Sequence, residues 1–338
     1  MREAMFYEQL KDDKVHCHLC PFNCKISEGN AGKCRVRKNK EGKLYSLVYD
    51  KISAANPDPI EKKPAHQFAP GTRTFSVATP GCNWECKYCQ NWNLSQGDLE
   101  GREITPEEIV EKAKSSGCQG ISYTYSEPTI FYELAYDTAR LAHEEGLYNT
   151  FVTNGYINPK PVEKLAPYLD QATVDFKGSG DDEFLREFSS APSADPIFRA
   201  LMEYHKNGVF LEITDLLVPE IGDSMEKVKE LVNWIIENLG SEVPMHFLRF
   251  TPRYKVKDLP PTPIETLEEA YDIARKAGMN YVYLGNVSEK NNTYCPNCGE
   301  LLMRKRLMQT VENNIVDGKC PNCGAEINLG GRKWLKNE

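Results

Sequence analysis

From residue 74 onward, short apolar runs alternate with longer stretches in which apolar residues recur every three or four positions. Thr74-Phe75-Ser76-Val77-Ala78-Thr79 reads as a strand that stops at Pro80-Gly81. Thr105-Pro106-Glu107-Glu108 is a capping box with proline at the first helical position, and it predicts a helix reaching about Gly117. Strands are then expected at 120–125, 148–153, 172–176, 210–218, 245–250 and 281–284. Helices are expected at 131–145, 161–169, around 181–188 and 195–206, at 224–239 and at 266–277. Strand and helix in strict alternation imply parallel βαβ units with right-handed crossovers. Six or seven units make an α/β fold, an open or nearly closed (β/α) barrel. Its functional residues belong at the C-terminal ends of the strands. Residues 50–73, with Pro57, Pro59, Pro64, Pro70 and Gly71, read as an irregular connector into that barrel.

Of 338 residues, 40% are hydrophobic and 27% charged, ordinary for a chain that buries a real core. No apolar run nears the ~18 residues that a membrane span needs. Met1-Arg2-Glu3-Ala4 opens no signal-peptide core, so a cytoplasmic protein with no membrane partner is expected. The net charge of −8 is uneven: residues 1–40 carry +4 and 291–338 carry +2, leaving −14 between them. An acidic centre argues against a nucleic-acid surface.

Twelve cysteines fall into three groups, with Cys118 alone and read as core. In an intracellular chain, grouped cysteines read as metal ligands rather than disulfides. Cys82, Cys86 and Cys89 stand at C-x3-C-x2-C spacing with no fourth cysteine or histidine near them. Iron–sulfur clusters are held by thiolates, and three thiolates leave one iron of a cubane without a protein ligand. Such an open position is what a substrate or cofactor needs in order to bind the metal; a structural zinc site would close with four ligands. Cys17, Cys20, Cys24 and Cys34, with Gly29 and Gly32 supplying turns, form a closed set that suits either zinc or an auxiliary iron–sulfur cluster. His16 or His18 could substitute in it, and free structural thiols are the lesser alternative. Cys295, Cys298, Cys320 and Cys323 make two C-P-x-C-G knuckles, a four-cysteine ribbon for zinc in preference to iron. The basic Arg304-Lys305-Arg306 beside them reads as solvated charge or a docking surface. The chain thus divides into a Cys-rich metal-binding segment (1–60), the barrel (61–290) and a zinc-ribbon-like module (291–338).

The run Pro80-Gly81-Cys82-Asn83-Trp84-Glu85-Cys86-Lys87-Tyr88-Cys89 resembles the cluster loop of the radical S-adenosylmethionine (SAM) superfamily, in which an aromatic precedes the last cysteine. The resemblance implies a radical SAM partial barrel holding a 4Fe-4S cluster, whose open iron takes the amino and carboxylate groups of SAM. It implies an external one-electron donor, cleavage of SAM to methionine and a 5'-deoxyadenosyl radical, and hydrogen abstraction from a substrate. Carried over residue by residue, Tyr88 is the aromatic of the loop. Glu127, in Tyr125-Ser126-Glu127-Pro128, matches the carboxylate that contacts the SAM amino group, with Tyr125 and Ser126 in place of glycines. Thr153-Asn154-Gly155 matches the T-N-G of glycyl-radical-enzyme activases. Val152 stands where pyruvate formate-lyase activase has an Asp that helps hold a monovalent cation. Asp175-Phe176-Lys177 resembles their D-L-K, which gives Lys177 the SAM carboxylate and turns Asp175 toward the cofactor pocket. His246 stands where activases have a histidine contacting SAM; on its own it would read as a structural residue. Thr214 or Asp215 would lie near the ribose, with Glu212 and Asp215 on opposite faces of their strand, and Asn286 follows the last strand. No residue is assigned as catalytic.

Over residues 15–325 the pattern resembles the radical SAM component of the AmmeMemoRadiSam system, a family similar to pyruvate formate-lyase activating enzymes. Its signs are the N-terminal C-x2-C-P-x2-C…G-x2-G-x-C-x2-R, the P-G-C-N-x-x-C-x-x-C-Q-N loop and the terminal knuckles. This implies Memo-type and AMMECR-type partner proteins and supplies no substrate. The expected function is a radical SAM enzyme of oxidoreductase or lyase type, acting on an unidentified protein or small molecule. Glycyl-radical activation is the first alternative, and a non-catalytic metal-binding scaffold the second.

Overall fold

The computed structural model describes residues 1–287, 290–306 and 308–335. At its centre eight strands lie side by side in sequence order: β1 (Ala54–Pro59), β2 (Arg73–Ala78), β3 (Gly120–Tyr123), β4 (Tyr148–Thr153), β5 (Gln171–Lys177), β6 (Phe210–Leu217), β7 (Met245–Arg249) and β8 (Val282–Gly285). Every neighbouring pair from β2 to β8 is parallel. The crossovers carry α1 (Pro106–Ser115), α2 (Tyr132–Glu144), α3 (Pro159–Leu165), α4 (Asp195–Lys206), α5 (Met225–Leu239) and α6 (Ile264–Ala277). This is the expected α/β architecture with a parallel sheet.

Two expectations need correction. Part of the supposed connector at 50–73 is β1, which runs antiparallel to β2 from Ala54↔Ala78 to Pro59↔Arg73. Pro57 and Pro59 are tolerated there because β1 is the edge strand, where no further strand needs the missing N–H groups. The helix expected around 181–188 is one α-turn, Asp182–Phe184, that widens into a π-turn at Leu185–Ser189.

Local chemistry explains the regular parts. Thr105 Oγ1 accepts from the Glu108 amide at 3.2 Å, and Glu108 Oε2 accepts from the Thr105 amide at 2.8 Å. A cap of this kind is worth about 0.5–2 kcal/mol. At Gly120 any Cβ would lie 1.9 Å from the Tyr148 ring, so only glycine lets β3 and β4 pair with that ring between them.

The barrel floor is polar. Glu212, buried on β6, accepts the amide N–H groups of His66, Gln67 and Phe68 at 2.8, 2.9 and 3.1 Å. A carboxylate can be buried in this way only with such donors. Before β1, short antiparallel strands and the turns between them send Val15, Leu19, Ile26, Val36 and Leu44 into the same core as the barrel. After β8, a three-stranded antiparallel sheet packs Leu302, Met303 and Ile315 on Tyr281 and Tyr283. The tail then returns across the barrel. Gly330 bridges to Phe68, whose ring packs on Tyr148, Phe210 and Trp334, and Trp334 Nε1 donates to the Gly146 carbonyl at 2.8 Å. Among the described residues no helix is long and apolar enough to cross a membrane.

Candidate functional site

The loop holding Cys82, Cys86 and Cys89 leaves the C-terminal end of β2. It begins at Gly81, whose φ of +105° and close approach to Val36 (2.6 Å from where a Cβ would stand) exclude a side chain. Backbone bonds pin it from several sides: Gly81 N–H to Leu94, Glu85 N–H to Ser189 and Lys87 N–H to Phe188, at 2.9, 3.0 and 2.7 Å. Tyr88 is buried and serves this anchoring. Its hydroxyl lies 2.6 Å from Ser189 Oγ and its ring stacks on Phe184. The Trp84 amide donates to Cys82 Sγ at 3.3 Å, and Ser95 Oγ lies 3.3 Å from Cys89 Sγ.

The spread of the three sulfurs tests what they could hold. A single tetrahedral ion with sulfur ligands at ~2.3 Å would draw them to about 3.8 Å apart. These three do not all lie within 4.8 Å of one another. Thiolates bound to different irons of one cluster must stand apart, so the donor set fits a 4Fe-4S cluster. Burial, together with Glu127 and Cys86, pushes the Cys82 thiol well above its ordinary range; burial and Cys89 push Cys86 up to about 11.

The turn after β4 faces the loop. Asn154 Nδ2 donates to Asn83 Oδ1 at 2.8 Å, and Asn83 Nδ2 donates to the Tyr156 carbonyl at 3.0 Å. Glu127 braces the turn. Its Oε1 accepts from Thr129 N–H, Thr129 Oγ1 and Thr153 Oγ1, and its Oε2 accepts the Asn154 amide at 2.8 Å. Burial raises its pKa against those four lowering bonds. The carboxylate expected to face the SAM amino group is thus 1% exposed and occupied with its own loop.

Lys177 and Asp175, at the end of β5, are paired at 3.1 Å, and Thr214 Oγ1 donates to Asp175. Burial alone would lower the Lys177 ammonium, but Asp175, Cys86 and Cys89 beside it hold its pKa above the ordinary value. Lys177 therefore stands as a cation next to two of the three thiols.

His246 is placed otherwise than the resemblance implied. It is 1% exposed, its Nε2 lies 2.8 Å from Glu212 Oε2, and its ring packs on His66 and Tyr283. That makes it part of the floor. Asp215 points to the outer face, accepting the Ser179 amide and hydroxyl at 2.8 and 2.7 Å, so Thr214 alone of that pair enters the barrel. Asn286 caps the Arg249 carbonyl at 3.0 Å. Near the loop's exit, an open cavity of about 480 Å³ is lined by Trp92, Pro252, Arg253, Tyr254 and Lys257, with the Trp92 and Tyr254 rings stacked at 5.0 Å. Sequence reasoning passed over Asn83, Ser95 and this aromatic stack. The run Gln90-Asn91-Trp92-Asn93 was the available signal.

The terminal cysteines form the tighter group. Cys295, Cys298, Cys320 and Cys323 have all four sulfurs within 4.8 Å, with Cys295–Cys323 at 3.6 Å and Cys298–Cys320 at 3.7 Å. Asn297 and Asn322 side chains donate to Cys323 and Cys298 at 3.4 and 3.5 Å. This geometry fits one tetrahedral ion. At the other end of the chain, His16 and His18 turn to Glu8, at 3.2 and 3.3 Å, instead of joining Cys17, Cys20, Cys24 and Cys34.

The sequence profile of the Radical SAM superfamily matches residues 76–235. An uncharacterized protein of Methanocaldococcus jannaschii is 44% identical over 97% of this chain and 99% of its own. A pyruvate formate-lyase-activating enzyme of Clostridium pasteurianum is 27% identical over 56% of this chain and 84% of its own. Among solved structures, a radical SAM methyltransferase from Sphaerobacter thermophilus superposes with a TM-score of 0.51 at 19% identity, over 69% of this chain and 71% of that one, a likeness of fold.

Proposed function

We propose that this chain, whose residues 76–235 match the Radical SAM superfamily profile, is a radical SAM protein that binds a 4Fe-4S cluster through Cys82, Cys86 and Cys89 and acts, with SAM, on a protein or small-molecule substrate. When bound, the cluster and SAM supply one-electron cleavage chemistry that yields a 5'-deoxyadenosyl radical able to take a hydrogen atom. The chain's own residues prepare the place for it. Three thiols stand at the end of β2, spread for separate irons, and Ser95 and the Trp84 amide support two of them. Lys177 offers its ammonium to the carboxylate of the nucleotide, with Asp175 and Thr214 fixing its position. Asn154 and Thr153, held by Glu127, form the opposite wall. An external one-electron donor completes the reading.

The observation that carries the proposal is the C-x3-C-x2-C loop at the C-terminal end of β2, with the Lys177–Asp175 pair at the same end of β5. A metal-binding scaffold has no use for that pair. The test is anaerobic reconstitution with iron, sulfide, dithionite and SAM, followed by assay of 5'-deoxyadenosine. Formation above a Cys86→Ala control is expected; none above that control would defeat the reading.

A second reading, glycyl-radical activation, draws support from the relative named pyruvate formate-lyase-activating enzyme and from Thr153-Asn154-Gly155. It predicts an EPR doublet on a partner enzyme after incubation, and a silent spectrum with every candidate partner removes it.

A further inference from the structure

We propose that Cys17, Cys20, Cys24 and Cys34 hold a second iron–sulfur cluster, ligated wholly by the protein and packed against the loop of the first. The four are gathered by the fold. The Cys17 amide donates to the Cys24 carbonyl at 2.9 Å, and Gly32, two residues before Cys34, passes within 3.5 Å of Cys24 Sγ at the place where its Cβ would be. Cys17 and Cys34 are buried in the main core and Cys24 packs against it. A backbone N–H points at one of the sulfurs: the Lys33 amide donates to Cys24 Sγ at 3.4 Å. Such a donor stabilises sulfur that carries negative charge.

A buried cation matches them. Arg37 is 2% exposed, lies beside Cys17, Cys20 and Cys34, and is paired with Glu133 at 3.1 Å. Its Nε and Nη1 nonetheless find no hydrogen-bond partner. Leaving two guanidinium nitrogens unpaired in a core is costly. An anionic thiolate-ligated group beside them removes that cost.

Spacing separates iron–sulfur from zinc. One zinc ion with four sulfurs at ~2.3 Å sets them about 3.8 Å apart. The terminal cysteines meet that requirement, all four within 4.8 Å. No three of Cys17, Cys20, Cys24 and Cys34 do. Four thiols too far apart for one ion, two of them buried and one with an amide donor, suit ligands divided among several irons. The site also touches the loop of the first cluster: Lys33 pairs with Glu85 at 2.8 Å, and Arg35 donates to the carbonyls of Ser95, Gln96 and Gly97.

The proposal is tested on the full chain carrying Cys82→Ala, Cys86→Ala and Cys89→Ala together, reconstituted anaerobically. Iron and acid-labile sulfide should remain in matching amounts, with visible absorbance that bleaches on dithionite. Adding Cys24→Ser should bring the iron to background and leave the zinc content unchanged. A folded triple variant without iron, or one with a second equivalent of zinc, overturns the proposal. If the triple variant does not fold, the native chain decides. Mössbauer and iron analysis showing more iron than the about four of one cubane supports a second cluster, and about four with none to spare overturns it.

Discussion

Asn154 donates to Asn83 across 2.8 Å, and through that bond the turn after β4 holds the loop after β2. The two residues lie on separate βα connections, so their contact fixes the distance between the wall of the pocket and the cysteine loop. Each amide is also tied to Tyr156: its N–H donates to Asn154 Oδ1 and its carbonyl accepts from Asn83.

Asn154→Asp keeps the acceptor for Tyr156 and removes the donor to Asn83. An unmet buried partner costs about 1–3 kcal/mol. SAM binding should weaken by roughly tenfold, by that same cost. Iron content should stay at the native level. Equilibrium binding and iron analysis on the same sample check it; loss of iron instead would make the contact a scaffold for the cysteines themselves.

Lys177→Ala should weaken SAM binding by about ten- to hundredfold, the ~1.5–3 kcal/mol of a bond to a charged group, with the cluster still assembled. Lys177→Arg should restore part of it. An unchanged affinity for SAM in the alanine variant would show that the ammonium serves Asp175 alone.

Asp215 gives a pH signature. Burial raises its pKa from 3.8 to about 6, so the native chain keeps a proton that the unfolded chain has lost. The associated stability is whole below about pH 4 and disappears as the pH climbs through 6, a change on the order of 3 kcal/mol at most. Urea unfolding at intervals between these limits should show a downward slope that is shallower in Asp215→Asn. Parallel curves for the two proteins would contradict the burial argument.

The metal-free terminal knuckles should react unevenly. Hydrogen bonds, first from the Asn297 side chain and then from the Ala325 backbone, lower Cys323 to about 6, while burial raises Cys295 to about 12. Near neutral pH an alkylating agent should label Cys323 in the chelator-treated chain far ahead of Cys295. Peptide mapping by mass spectrometry reads the order, and metal should protect both. Equal labelling would mean that the knuckle does not keep its shape without metal.

Much of this was legible in the sequence because local rules agree with the global fold. The Thr105–Glu108 box opens a helix as its residues require, and the alternation of short and long apolar patterns orders the sheet. β1 was hidden because prolines usually mark loops; only its place at the edge makes Pro57 and Pro59 acceptable. His246 was misplaced for a different reason. A histidine's role depends on what stands opposite, and Glu212 lies 34 residues away on another strand. Asn83 was passed over because attention goes to the cysteines around it, and its partner Asn154 is 71 positions distant.

The returning tail carries a practical lesson. Phe68 owes its cover to Gly330 and Trp334, and Phe68 belongs to the segment whose amides Glu212 holds. Anyone trimming the chain after the last barrel strand, in order to study the cysteine loop without the knuckles, would strip the underside of the barrel bare and should expect a sticky, poorly behaved product.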